Sequence, residues 1–167
     1  MDSKNIEKPA LKEAEIVNYV LGRFENLKNE ITKNKLVIFH TNNKFLLMVH
    51  SQEKLLMLGN IVANHQKKSL NELITDYEIN LRHALSSPPT IKQHINVLMH
   101  IFGHVSNDLD QKQKRTFLNL VDQFRSEEIS LGTILWEIEP LVYQYSKTYL
   151  IGQTYFLLYA EKRPWSI

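Results

Sequence analysis

The stretch Thr90–Val105, TIKQHINVLMHIFGHV, decides the fold class of this chain. At 100° per residue, Ile91, Ile95, Leu98, Phe102 and Val105 fall on one stripe. Val97, Met99 and Ile101 widen it past the face that a surface helix buries. Asn96, His100 and His104, spaced i, i+4, i+8, make a polar line on the other side. Gly103, beside that line, leaves room for a close approach. The stretch reads as a central helix, apolar over most of its circumference, with one polar strip turned toward a cleft or a second layer.

Helical periodicity recurs on both sides of it, and strand alternation is rare. Upstream, a first helix is expected from about Pro9, a good first-turn residue, to about Asn29. Its apolar face is Leu11, Ala14, Val17, Leu21, Phe24 and Leu27. A second helix is expected from Thr32 to His50, apolar on most sides, with His40, Asn43, Lys44 and His50 on one flank. Ser51 is placed to cap a third helix ending near Asn64. Ser69 with Glu72 is a capping-box pattern that opens a fourth, and Ser86-Ser87-Pro88-Pro89 ends it. Thr90 then caps the central helix. Downstream, Asp108 or Asp110 caps a sixth helix with Phe117, Leu118, Val121 and Phe124 as its buried face. A seventh spans Ser130 to Tyr145 around Pro140, and a short last segment runs from Thr148 to Tyr159. The expectation is an all-α, single-domain helical bundle of about seven helices, covering residues 1–167, with 1–8 frayed and 160–167 a tail.

Composition bounds the chemistry. In 167 residues, 43% are hydrophobic and 23% charged, the balance of a globular domain with a real core. There is no Cys, which excludes disulfides, thiolate metal sites, cysteine nucleophiles and Cys-ligated iron–sulfur clusters within the chain. Met1–Pro9 is polar and charged, unlike a secretory leader. The longest apolar run, Phe45–Val49, falls far short of the roughly 20 residues that span a bilayer. No membrane association and a cytoplasmic location are expected. A net charge of +2 permits nucleic acid as a partner without demanding it.

Known catalytic patterns are missing. There is no GxSxG elbow, no GxGxxG and no GxxxxGK[ST]. His100 and His104 have the spacing of two metal ligands, but no Glu stands between them as in HExxH, and His94 lies about 120° around the helix from His100. Neither a metal nor a cofactor is expected. If the two apolar helices pack together, their polar strips line one cleft, where His40, Asn43, Lys44, His50, Asn96 and His100 converge. Such a cleft suits an anionic or amide-bearing ligand and general acid–base work. Small basic clusters lie at Lys67-Lys68, Lys112-Lys114-Arg115 and Lys162-Arg163. Arg82 and His83 stand beside the Pro-Pro break. Tyr149, Tyr155, Phe156, Tyr159 and Trp165 read mainly as core or tail-docking residues, with base stacking as the alternative.

Three blocks together resemble the YbgA family of bacterial helical domains. They are KFLLMVHS (Lys44–Ser51) followed by Gly59, SPPT running into HINVLMHIFGH (Ser87–His104), and YLIGQTYF (Tyr149–Phe156). The resemblance marks Lys44, His50, Ser51, His94, Asn96, His100, Gly103, Gln153 and Tyr155. The chain departs from the family at His104, where an aromatic residue is usual, and after Phe156, where a Pro is usual. Domains of this family also occur fused to thiouracil- or thiouridine-type desulfidases that carry a Cys-ligated cluster, and there the helical domain is thought to help bind tRNA. The resemblance therefore implies a non-enzymatic RNA-binding module, with tRNA or another structured RNA as partner. It connects the chain with thiouridine metabolism, alongside a separate desulfidase protein. Lys44 and Arg82 are the expected phosphate contacts, and His50, Ser51, His94, Asn96, His100, Gln153 and Tyr155 the expected ligand cleft. Two other functions fit the sequence. One is an enzyme acting on a nucleoside or metabolite in the His/Asn/Lys cleft. The other is an adaptor that docks a desulfidase or repair enzyme.

Overall fold

A computed structural model describes residues 11–145 and 148–160. Among these the chain is helical throughout, with no strand. The helices are α1 (Glu13–Lys28), α2 (Lys33–Asn42), α3 (Lys44–His50), α4 (Gln52–Ala63), α5 (Leu70–Leu85), α6 (Ile91–Val105), α7 (Gln111–Arg125), α8 (Leu131–Gln144), α9 (Thr148–Ile151) and α10 (Thr154–Tyr159). The expectations for Pro9, the frayed lead-in, Lys162, Arg163, Trp165 and the tail after residue 160 lie outside the described residues.

Side-chain caps set most of the helix starts. Thr32, Ser51, Ser69, Thr90, Asp110 and Ser130 each accept a hydrogen bond from a first-turn N–H. At Ser69, Thr90 and Asp110 the third residue, Glu72, Gln93 or Gln113, returns a bond to the cap N–H. Asn64 closes α4 in the left-handed conformation, φ 51°, and its side chain holds both the N–H and the C=O of Lys68.

Two expected helices are each broken in two, which is why ten replace the expected seven and short last segment. The Thr32–His50 helix stops at Asn43, where the backbone leaves the helical region at φ −101°, ψ 6°. Asn43 is buried, and its amide Nδ2 donates back to the Phe39 carbonyl at 2.8 Å. The break therefore sits inside the protein, and its backbone groups need internal partners. They come from the second break, at Gly152-Gln153 between α9 and α10. Gln153 is buried; its Oε1 accepts from Phe45 N–H at 3.1 Å and its Nε2 donates to the Thr41 carbonyl at 2.7 Å. Thr154 Oγ1 donates to Asn43 Oδ1 at 2.7 Å.

Around this junction the core closes. Every residue of α3 after Lys44 is buried, so α3 is the enclosed element of the bundle. The α6 helix packs against α3, α7 and α8. It buries His94, Val97, Leu98, Ile101 and Val105, while Ile91 and Met99 are more than a third exposed. Its buried stripe is thus rotated by about 60° from the one expected, because His94, a polar residue, sits at its centre. In α1 the buried positions are Ile16, Val20 and Phe24 rather than the Leu11 and Ala14 face, and in α7 Leu118 is exposed. Phe24, Phe39 and Tyr77 join α1, α2 and α5 through ring contacts at 5.3–6.2 Å.

Replacing Gln153 with Ala would strand the Phe45 N–H and the Thr41 C=O in the core. Gln153→Ala is expected to lower stability by roughly 2–4 kcal/mol in urea unfolding. A loss below about half a kcal/mol would show that water takes over both bonds.

Candidate functional site

The expected cleft between the two polar strips does not form. The α6 helix meets α3 through the face that carries His94, so Asn96 and His100 are left exposed, and His104 at the edge sets its ring against Phe45 and Tyr149. Asn96, His100 and His104 line an open surface depression with Met99 and Gly103. The other strip scatters at the Asn43 break. His40 turns to α5 and pairs with the Tyr77 hydroxyl through Nδ1 at 3.1 Å. Asn43 is absorbed in the junction, Lys44 is exposed, and His50 is buried. His50 and His100 therefore do not share a pocket.

The remaining expected site residues are mostly structural. Ser51 caps α4 by accepting from Lys54 N–H. Gln153 satisfies the helix break. Arg82 is exposed but engaged, its Nε and Nη2 both donating to Glu78 Oε1 at 3.2 and 2.9 Å. Glu78 also receives Lys28 at 2.9 Å, so the carboxylate offsets much of the charge on both cations.

His50, His94 and Tyr155 do come together, with Tyr159 and with Glu13, which sequence reasoning had not singled out. His50 Nδ1–H donates to the Ser87 carbonyl at 2.7 Å, which fixes the tautomer and leaves the Nε2 lone pair inward. That Nε2 is buried, makes no hydrogen bond, and lies 3.8 Å from Glu13 Oε2. Tyr159 O–H donates to the same carboxylate oxygen at 2.8 Å. The Tyr155 hydroxyl pairs with His94 Nδ1 at 2.8 Å, and the rings of His94, Tyr155 and Tyr159 pack within 5.1–5.8 Å. Burial pushes His94 down to about 4, with the nearby His50 adding to the effect. Burial also lowers His50, against the opposing pull of the Ser87 carbonyl and Glu13. His40 falls to about 4 through burial and the Lys44 charge. Burial likewise raises Tyr155 and Tyr159, so both hydroxyls keep their protons. The cluster ties α1, α3, α6 and α10 together.

A separate surface feature has the makings of a binding site. A groove of about 630 Å³ runs between α1, α2 and the α9–α10 turn, within the range of small-ligand clefts. Tyr19, Arg23 and Asn26 line it from α1, Lys35 and Asn42 from α2, and Leu157 from α10. No Asp or Glu is among its lining residues. The signal was present in the sequence. Tyr19, Arg23 and Asn26 stand at i, i+4, i+7, one helical face, and Lys35, Ile38 and Asn42 at i, i+3, i+7. Neither run contains a residue of the kind that marks a catalytic motif.

A family model described as "Protein of unknown function (DUF1722)" matches residues 44–160. An "Uncharacterized protein YbgA" of Escherichia coli (strain K12) is 30% identical over 143 residues, 84% of this chain and 85% of that protein. The chain belongs to this family. No solved structure matches it. The family model's match begins at Lys44, so it covers α3 to α10, with the Gln153 junction and the His50–His94–Tyr155 cluster, whereas the likeness to the Escherichia coli protein reaches back before Lys44. The cationic side of the groove comes from α1 and α2, which precede the segment that the family model matches. No helix among the described residues is long and apolar enough to cross a membrane.

The depressed histidines make stability depend on pH. An unfolded histidine takes a proton near pH 6.5, whereas His40 and His94 resist it down to about 4. Their contribution is complete above the unfolded value and is lost as the pH falls through that window. The urea midpoint is expected to fall steadily from about pH 6.5 to about pH 4, less steeply in His94→Gln. A flat midpoint would contradict the assignment.

Proposed function

We propose that this chain is an RNA-binding module without catalytic chemistry of its own, that tRNA is its ligand, and that it serves thiouridine metabolism. The observation that carries this reading is the groove. It combines two cations, the side chains of Asn26 and Asn42 and a partly exposed aromatic ring, and no carboxylate lines it. Phosphate is drawn by the cations, and asparagine amides offer both donors and acceptors to base edges. Arg23 has no ion-pair partner among the described residues. The Lys35–Glu30 pair, at 3.4 Å between exposed groups, is weak enough for a phosphate to displace. Lys112 and Arg115, exposed at the start of α7, add phosphate contacts within the family-matched segment.

The family resemblance supports the tRNA and thiouridine parts of the proposal. A chain without Cys needs a separate desulfidase to remove the sulfur. The alternative of a small-molecule enzyme required His50, Asn96 and His100 around one pocket, and they do not share one.

Binding of the purified protein to bacterial tRNA, with and without thiouridine, across a salt series tests this reading. Micromolar or tighter binding at low salt is expected, weakening as salt rises. Arg23→Gln is expected to lower the salt slope by roughly one, whereas Arg82→Gln, already neutralised by Glu78, leaves it unchanged. No binding to either tRNA at low salt would overturn the proposal.

A further inference from the structure

The tyrosines of this chain divide sharply by their surroundings. Among the described residues, the hydroxyls of Tyr77, Tyr145, Tyr155 and Tyr159 are hydrogen-bonded. Tyr149 packs its ring on Phe45 and His104. Tyr19 and Tyr143 have neither a ring contact nor a hydrogen bond among the described residues, and they are 39% and 54% exposed. Tyr143 lies on α8, away from the groove. Tyr19 lies in it, with Arg23 one turn along the same helix and Lys35 across from it on α2.

A tyrosine that is 39% exposed, with no hydrogen bond for its hydroxyl among the described residues, leaves part of its ring open to a ligand. Its neighbours in the groove, Ile38 and Leu157, are 49% and 48% exposed, so the apolar floor is open as well. An apolar, partly aromatic floor flanked by cations matches a ligand with flat rings joined by anionic links. A paired helix offers phosphates but keeps its base faces stacked inside. Unpaired nucleotides offer both.

We propose that this groove binds unpaired nucleotides of an RNA, with Tyr19 stacking on a base and Arg23 and Lys35 holding the flanking phosphates. The inference rests on the RNA-binding reading above and adds to it the strandedness of the ligand and the residue that senses it. The stacking contact tolerates any base, because every base has a π-face. Asn26 and Asn42, on the two walls, are placed to read base edges.

The test compares a mixed-sequence single-stranded RNA oligonucleotide, the same oligonucleotide annealed to its complement, and bulk tRNA, all by fluorescence anisotropy. The wild-type chain is expected to bind the single strand at least about tenfold more tightly than the duplex. Tyr19→Leu, which keeps the apolar bulk, is expected to weaken single-strand binding by about fivefold or more. Tyr19→Phe should retain it. Leu157→Glu, at an exposed position, places a carboxylate in the groove and should weaken binding to both the single strand and tRNA. Circular dichroism confirms that each variant is folded. If tRNA binds but Tyr19→Leu and Leu157→Glu bind as the wild type does, the groove assignment fails and the RNA-binding reading stands. If the wild type binds the duplex as tightly as the single strand, the strandedness fails. If it binds no RNA at all, the underlying reading fails.

Discussion

The fold depends on one buried interruption of a helix. At Asn43 the chain leaves the helical region inside the protein, where no bulk solvent is available to satisfy the freed backbone groups. A single amide, Gln153, answers on both sides of the break, accepting from Phe45 and donating to Thr41. Thr154 completes the connection through the Asn43 side chain. Because the break redirects the chain, α3 runs into the core while α2 stays at the surface. That single change of direction sets which side chains can meet. It sends His40 toward α5 and His50 toward α1 and α10, and it leaves Lys44 outside.

The bundle was legible in the sequence wherever local chemistry decides structure. The Ser69–Glu72 pattern and the Pro88-Pro89 stop describe hydrogen bonds and clashes within a few residues. What was not legible depended on partners far away. Nothing near Asn43 announces a break, since the compensation comes from Gln153. His94 was placed in the expected ligand cleft, yet Tyr155 gives it a partner and lets it occupy the centre of the buried face. The expected site suffered from the same cause. Buried polar residues were read as ligand-facing when their hydrogen bonds go to the backbone, as for His50 and Gln153, or to each other, as for His94 and Tyr155. The groove was missed for the opposite reason. Tyr19, Arg23 and Lys35 are ordinary surface residues, and although Tyr19 and Arg23 share a helical face, only tertiary packing brings Lys35 to the same groove.

Two regions of different character result. The family-matched segment carries the buried polar cluster, where desolvation keeps histidines neutral and tyrosines protonated. Its groups tie four helices to each other, with His50, His94 and Tyr155 buried and Glu13 partly exposed at the edge. The N-terminal helices carry little of that network beyond Glu13, but they supply the cations, asparagines and open ring of the groove. The groove thus lies on the helices that share least in that buried network.

The sequence separation of the Asn43 junction has a further consequence for how the protein is made. The Phe45–Gln153 bond joins residues 108 positions apart. During synthesis, α3 emerges early with five consecutive apolar residues, Phe45–Val49, and with a break in its backbone bonding that nothing nearby can close. It stays in that condition until α10 has also left the ribosome. Closing so distant a contact is entropically slow, so the intermediate helices assemble around an unfinished centre. Glu13 waits in the same way for Tyr159, 146 residues later. The last helix described in the structure thus acts as a fastener, and the nascent chain stays sticky until that fastener arrives.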